Sequence, residues 1–274
     1  MTGATRGIGK AIAERLARRG DHVVMACRDL RRGNIVCEEI SRATGNNSVE
    51  VMHVDLESLN SVRHFSESLK TRFDRLDVLI NNAGIFRSSL EFTTDGLEKV
   101  FAVNYVSTFY LTNLVSDLME EAPGATVINL GSNLHRIGTI HFKDLFLTKG
   151  YDGIRAYAQS KLCVLSFTME MARRHKGILC NCYHPGAVNT EIGNAHATGF
   201  YKHGWNFIKP FFLSADQGAE TALYLTDPTN LNGLSGRYFY KKKTVTPSSK
   251  ATCTDTSERL WTETEKILSN IVRK

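Results

Sequence analysis

Apolar and polar positions along this chain follow two periods in turn. Over residues 7–19, Ile8, Ile12 and Leu16 share one helical face, with Lys10, Glu14 and Arg18 opposite. Gly20 then supplies a helix stop behind Arg18 and Arg19. Residues 22–27 form a short apolar run that reads as a buried strand. A polar helix is predicted over 30–42, a strand over 49–54, a helix capped by Ser58 and running to 73, and a strand over 76–80. The pattern continues with a helix over 95–120, a strand over 126–130, a helix over 154–175 and a strand over 178–183. A helix over 214–225, a short strand near 237–239 and a last helix over 257–272 close the chain. Such alternation predicts an α/β fold: a Rossmann-type, doubly wound parallel sheet with helices on both faces, in one domain spanning 1–274. Ligands of such sheets lie beyond the carboxyl ends of the strands, so the residues after each apolar run are the ones to inspect.

The first helix is preceded by Thr2-Gly3-Ala4-Thr5-Arg6-Gly7-Ile8-Gly9. Glycines let a backbone turn at positive φ and approach a phosphate closely, and a helix N-terminus aims free N–H groups at the anion. The spacing G-x-x-x-G-x-G is a variant of the dinucleotide fingerprint. Taken alone it is either a nucleotide loop (Gly3, Arg6, Gly7, Ile8, Gly9) or a plain glycine turn. A phosphate loop normally follows a buried strand, yet only Met1 lies ahead of it. The expectation is a fold whose first strand is missing from the chain. That strand belongs between the strands at 22–27 and 76–80, and its loss is expected to leave ladder groups unpaired beside an apolar trench.

Candidate chemistry collects at the strand ends. Cys27 and Arg28 stand where an NAD site would carry an acid, so Arg28 with Arg6 points to a 2′-phosphate and hence NADP(H); the alternative pairs Arg28 with Asp29. Asp55 either contacts an adenine or helps Ser58 cap a helix. Asn82, Ala83 and Gly84 leave room for a cofactor where the fourth apolar run ends. Asn104 sits within an otherwise apolar helix and either satisfies a kink or holds a water. Ser132 follows the run at 126–130, and Tyr157 and Lys161 share a helical face at i, i+4 spacing. A lysine beside a phenol favours the phenolate, so Tyr157 is expected to have a lowered pKa and to serve as a proton donor and acceptor. Pro185, Gly186 and Thr190 follow the run at 178–183.

Composition narrows the rest. A net charge of +6 is dispersed, and Lys241-Lys242-Lys243 reads as a solvated turn, so no nucleic-acid partner is expected. The six cysteines include no C-x-x-C pair and read as small core residues, with no metal expected. No stretch has the apolar length of a membrane span.

Together these residues resemble the short-chain dehydrogenase/reductase family. Thr2-Gly3…Gly7-Ile8-Gly9, Asn81-Asn82-Ala83-Gly84, Asn104, Ser132, Tyr157…Lys161 and Pro185-Gly186…Thr190 carry the likeness over essentially the whole chain. Within the family it is most similar to the retinol dehydrogenase branch, through Ala26-Cys27-Arg28-Asp29, Ile140-His141-Phe142 and Leu260-Trp261. The resemblance implies reversible hydride transfer between a nicotinamide and an alcohol or carbonyl. It makes Tyr157 the general acid/base, with Lys161 on the nicotinamide ribose. Ser132 would then sit on the substrate oxygen and Asn104 on a relay water, with Arg6 and Arg28 on the 2′-phosphate. The chain departs from the family at Gly131, where a serine is usual, at Ser107, where the branch has glycine, and at the first strand. With that strand would go the N-terminal membrane anchor that several relatives carry. The expectation is a cytoplasmic protein as the chain is written, or one at the endoplasmic reticulum membrane if an anchor precedes it.

Residues 191–213 hold Phe200, Trp205, Phe207 and Phe211 among lysines. They read either as a satellite core or as a lid over a lipophilic alcohol or carbonyl, with peripheral membrane contact through 200–212. The functional expectation is an NADP-dependent oxidoreductase on a retinol/retinal-like substrate, with steroids and lipid aldehydes as runners-up. The competing class is a truncated, non-catalytic binding or regulatory protein. Relatives also point to a homodimer.

Overall fold

The computed structural model describes residues 1–187 and 213–272. Thr190 and nearly all of the 191–213 insert lie outside the described residues. The elements follow the predicted order. Helix α1 (Gly7–Arg18) leads into strand β1 (Val23–Cys27), α2 (Leu30–Thr44), β2 (Val49–His53), α3 (Leu59–Arg72) and β3 (Val78–Asn81). A broken helical stretch follows: α4 (Lys99–Phe101), a π turn (Ala102–Val106), α5 (Ser107–Leu114) and α6 (Ser116–Glu120). Strand β4 (Thr126–Leu130), a 3₁₀ turn (Asn133–Ile137), helix α7 (Gly153–Arg174) and β5 (Leu179–Tyr183) come next. After the insert come α8 (Ala215–Leu225), β6 (Tyr238–Tyr240), β7 (Lys243–Thr244), α9 (Ser249–Thr252) and α10 (Thr254–Val272).

Among the described residues the strands fall into two sheets. β1 and β2 pair in parallel, and a second sheet runs β3-β4-β5-β6 in parallel with β7 added antiparallel at its edge. The facing edges of β1 and β3 are joined only at their carboxyl ends, by Met1 and Thr2. Thr2 forms a parallel bridge with Ala26 and donates its N–H to the Ile80 carbonyl at 3.0 Å. Below that link no strand among the described residues runs between β1 and β3, in line with the expected gap.

Apolar faces on both sides give the layers. α1, α2 and α8 cover one face, with Ile12, Ala13, Ile40 and Leu225 almost fully buried. α3, α5, α7 and α10 cover the other. Trp261 of α10 meets Phe109 edge-on at 4.7 Å and lies under the Arg174 guanidinium at 4.3 Å. Leu260-Trp261 is thus a packing anchor for the last helix, where aromatic burial and cation–π attraction act together.

Two local outcomes depart from the pattern reading. The single helix over 95–120 begins at Lys99 behind the Glu98 cap and is broken by the π turn. Glu98 accepts from the Val100 and Phe101 N–H groups at 2.8 and 2.7 Å, which stops the helix from extending back to 95. The Lys241-Lys242 pair lies in the tight β6–β7 turn at positive φ, and the short β7 strand extends the edge beyond the predicted strand.

Candidate active site

The glycine stretch forms a tight turn onto α1. Gly3 and Gly7 sit at φ of 66° and 52°. A Cβ on Gly9 would lie 2.0 Å from the Gly3 carbonyl oxygen, so that position must stay bare. Gly7 has nothing within 4 Å of where its Cβ would be, leaving an open cradle at the helix start. The N-termini of α2, α3, α7 and α8 are capped by Asp29, Ser58, Asp152 and Ser214. α1 has neither a side-chain cap nor an acid in its first turn. Uncapped N–H groups at the positive end of a helix dipole, facing open space, fit a pyrophosphate.

The loop hangs on Thr2 and Asn82. The Thr2 hydroxyl accepts from the Asn82 and Ala83 N–H groups at 3.2 and 3.1 Å. The Asn82 amide donates to the Thr2 and Gly3 carbonyls at 3.3 and 3.1 Å. Asn82 therefore acts here as a strut that ties the end of β3 to the glycine turn. At the end of β1, Asp29 caps α2 through the Arg32 N–H at 3.0 Å, so the Arg28–Asp29 pairing weighed from sequence is not formed. The exposed Arg28 reaches Glu57 at 2.9 Å, and Glu57 also meets Lys99 at 3.4 Å. Ser58 caps α3 at the Ser61 N–H, while the Asp55 carboxylate accepts from the Glu57 N–H at 3.0 Å. Arg6 stands at the N-cap of α1.

The catalytic candidates meet at the ends of β3 and β4. Ser132 begins the 3₁₀ turn, its hydroxyl accepting from the Leu134 N–H at 3.2 Å. Ser132 lies near enough to the Tyr157 phenol for its hydroxyl to pull the phenol pKa downward. Phe86 meets the Tyr157 ring edge-on at 6.2 Å and gives the cleft an apolar wall. Lys161 is buried, donates to the Leu130 carbonyl at 2.7 Å, and holds its Nζ 5.6 Å from the Tyr157 ring centre. A Cβ on Gly84 would lie 3.4 Å from Asn104 Oδ1 and 3.5 Å from Lys161 Nζ, so Gly84 forms the floor between them.

The expected lowering of the tyrosine pKa is not what this arrangement produces. Burial pushes the Tyr157 phenol up to about 12, against a smaller downward pull from the Ser132 hydroxyl. Burial also pushes the Lys161 ammonium down to about 8. Lys161 is engaged by Leu130 rather than by the phenol oxygen, so desolvation outweighs charge attraction at Tyr157.

Asn104 lies in the π turn. Its amide donates to the Ile85 carbonyl and the Ser160 hydroxyl, both at 3.0 Å, and its oxygen accepts from the Ile85 N–H at 2.8 Å. The side chain thus pins the loop after β3 to the turn of α7 that carries Lys161. A π turn in an α-helix is a frequent mark of a functional position, and here it aims Asn104 across the cleft. Ser107, where glycine was expected, donates to the Leu56 carbonyl at 2.6 Å and locks the same helix to the loop after β2.

Gly131 has a steric reason. A Cβ there would lie 2.6 Å from the Cys182 sulfur. Pro185 and Gly186 follow β5, with Gly186 at φ of 89° and its N–H bound to His184 Nδ1 at 3.2 Å. The insert leaves and returns at one place, where the Leu213 N–H donates to the Ala187 carbonyl at 2.8 Å.

His135 escaped the sequence reading. It is fully buried, its Nε2 accepts from the Ser248 N–H at 3.1 Å, and its Nδ1 lies 2.8 Å from the Ser132 carbonyl. With Nε2 accepting, the proton sits on Nδ1 and is donated to Ser132. Burial holds the ring below its usual pKa, in keeping with a neutral strut. Its spacing three residues after Ser132 was the available signal. Ser160 was missed for a related reason, since its partner Asn104 lies 56 residues away.

The profile of the short chain dehydrogenase family matches residues 1–199. Retinol dehydrogenase 12 of Mus musculus is 42% identical over 264 residues, which cover 95% of this chain and 83% of the relative. The chain belongs to the short-chain dehydrogenase family. Identities of 36–42% to retinol dehydrogenases 11 to 14 put it in the retinol dehydrogenase branch. A solved protein of Mycobacterium Paratuberculosis superposes with a TM-score of 0.78 at 30% identity, covering 98% of this chain and 91% of its own. A short-chain dehydrogenase from Sphingobium yanoikuyae, solved with NADPH, superposes with a TM-score of 0.65 at 26% identity, covering 81% of each chain. As a short-chain dehydrogenase the protein is of an oxidoreductase family that works with nicotinamide cofactors. No helix among the described residues is long and apolar enough to cross a membrane.

Proposed function

We propose that this protein interconverts a lipophilic alcohol and its aldehyde or ketone, retinol/retinal-like, with NADP(H). The observation that carries the reading is that Asn104 and Lys161 meet at Gly84, with Lys161 Nζ 5.6 Å from the Tyr157 ring centre and Ser132 acting on the same phenol. A nicotinamide held there would supply or accept the hydride. Ser132 holds the substrate oxygen, and Tyr157 gives it a proton in reduction and takes one in oxidation. A phenol held near 12 stays protonated at neutral pH, which suits the reducing direction. Lys161, buried beside Gly84, is the donor within reach of a nicotinamide ribose. Gly3, Gly7, Ile8 and Gly9 would take the pyrophosphate at the α1 N-terminus. Asp55, Ala83, Pro185 and Gly186 would flank the rest of the cofactor.

NADP over NAD rests on Arg28 and Arg6. Arg28 is exposed at the end of β1, where Cys27 stands in place of a ribose-binding acid, and among the described residues it pairs with Glu57. The NADPH-bound Sphingobium enzyme agrees with this choice. Retinal-like substrates rest on the retinol dehydrogenase relatives and on the aromatic content of 191–213. An endoplasmic reticulum location, with 200–212 against the bilayer, belongs to the same reading.

A second reading is a binding protein without turnover. One assay separates the two: NADPH consumption with retinal, by the wild-type chain and by Tyr157→Phe. Turnover lost in the variant supports the enzyme. Equal rates in both, or none in either, sinks it.

A further inference from the structure

A pocket lies between α7, the start of β5 and the β6–β7 hairpin, and it shares no residue with the candidate active site. Its volume is about 840 Å³, within the range of small-molecule sites. Met169 and Ala172 of α7, Leu179 of β5, Leu234 before β6 and Val245 after β7 supply its apolar lining. A Cβ on Gly236 would lie 3.3 Å from the Ala172 Cβ, so the loop before β6 rests directly on α7. Leu234 in that loop is 38% exposed, an apolar side chain left partly open to water.

The charged lining is of one sign. Arg173, Lys176 and Arg237 line the pocket, and no Asp or Glu does so among the described residues. Glu170 holds both Arg173 and Arg174, so these three groups still sum to one positive charge. Lys176 and Arg237 are exposed, and neither side chain makes an ion pair among the described residues. They stand just ahead of β5 and β6, two strands that pair in parallel.

The lining is also tied to the turn that follows Ser132. The Thr246 carbonyl accepts from Arg136, and the Ser248 N–H donates to His135 Nε2 at 3.1 Å. Lys250 Nζ donates to the Gly138 carbonyl at 2.9 Å. Residues 244–250 thus border the pocket at one end and clasp residues 135–138 at the other.

We infer that this pocket binds an amphipathic anion. A single carboxylate or phosphate head lies at Lys176 and Arg237, and an apolar chain covers Met169, Leu179, Leu234 and Val245. Each half of the ligand has its match: the head supplies the charge that the two cations lack, and the chain takes the apolar lining out of water. A ligand there also orders residues 244–247 and, through Arg136 and His135, the turn behind Ser132. That last clause rests on the proposed function; the binding does not.

The test uses the full chain with decanoate and decyl phosphate, each below its micelle concentration, and with decanol and acetate as controls. Hydrogen exchange at the Gly236, Val245 and Ser248 amides reads occupancy, since each is hydrogen-bonded in the lining or beside it. The expected result is saturable protection by at least one anion, at least about tenfold tighter than by decanol, with none by acetate. The tighter anion names the head. Lys176→Glu combined with Arg237→Glu should weaken that anion at least about tenfold and keep the wild-type thermal midpoint. If the midpoint falls, Arg237→Gln is read in its place. No protection by either anion overturns the proposal, as does equal protection by decanol or unchanged binding in the variant. Protection by acetate as strong as by decanoate overturns it too, since the apolar lining would then have no role. The kcat for retinal at saturating NADPH is then measured with and without the anion. A change in the wild type that is lost in the variant upholds the link to Ser132. An unchanged kcat upholds the pocket and removes the link alone, and no turnover in any form counts against the proposed function alone.

Discussion

The two ends of the site are built in the same way and held very differently. On the catalytic side, β3, β4 and β5 form an uninterrupted parallel ladder from Val78 to Tyr183, and α7 lies across it with Lys161 donating to the Leu130 carbonyl. On the cofactor side, β1, β2 and the glycine turn join that ladder through two residues, Met1 and Thr2. Both sides bury apolar side chains nearly completely. Burial alone therefore does not say how firmly a functional loop is held. What differs is the number of main-chain bonds seen to hold each loop among the described residues.

The sharpest way to separate the sides is to remove chemistry without touching the link. Tyr157→Phe should lower kcat about 10²- to 10⁴-fold while leaving NADPH affinity and the thermal midpoint unchanged. A parallel loss of NADPH affinity would mean that the two sides are one unit. The link itself is broken by Thr2→Val, which keeps the shape and removes the acceptor of two N–H groups. Leaving these unmatched should destabilise by about 1–3 kcal/mol and weaken NADPH binding about 10- to 100-fold, with kcat at saturating NADPH close to wild type. A fall in kcat with no change in affinity would reverse the assignment.

Two further variants sharpen the comparison. Lys161 is held at about 8, below its usual 10.5, by burial. The folded chain therefore gives up this proton before the unfolded chain does, so wild-type stability should rise between pH 8 and 10.5. Lys161→Met removes the buried charge and should be more stable at pH 7 by roughly 1–3 kcal/mol, with the gap closing between pH 8 and 10.5. A gap that is constant with pH would show that the ammonium is not what burial penalises. Arg28→Glu carries the smallest effect. It places a carboxylate where a 2′-phosphate would lie and should shift preference from NADPH toward NADH by about tenfold, measured as the ratio of kcat/KM values. An unchanged ratio would leave Arg28 as the partner of Glu57 only.

Much of this architecture was legible in the sequence. Periodicity alone placed β1, β2, β4 and β5 within a residue or so of their observed bounds, because strand and helix patterns are local. It also led to the residues after each strand, where Gly84, Ser132 and Gly186 lie. The helix over 95–120 was misread at its start and middle. Its start depends on Glu98 turning back on Val100 and Phe101, and its π turn coincides with the pairing of Asn104 to Ile85 and Ser160. Neither leaves a trace in an apolar pattern. His135 was missed because one of its two partners, Ser248, lies 113 residues away from it in the chain.

The amino-acid sequence by itself determined the order of elements, the glycine turn onto α1, the i, i+4 placement of Tyr157 and Lys161, and the expectation of a gap where a strand should run. Only the tertiary structure decided that Arg28 turns to Glu57 rather than Asp29. It likewise decided that Lys161 serves Leu130 while burial keeps the Tyr157 phenol protonated. The first group follows from the geometry of neighbouring residues, which a chain carries wherever it goes. The second depends on desolvation and on which distant groups share a few ångströms, quantities that exist only once the layers have packed.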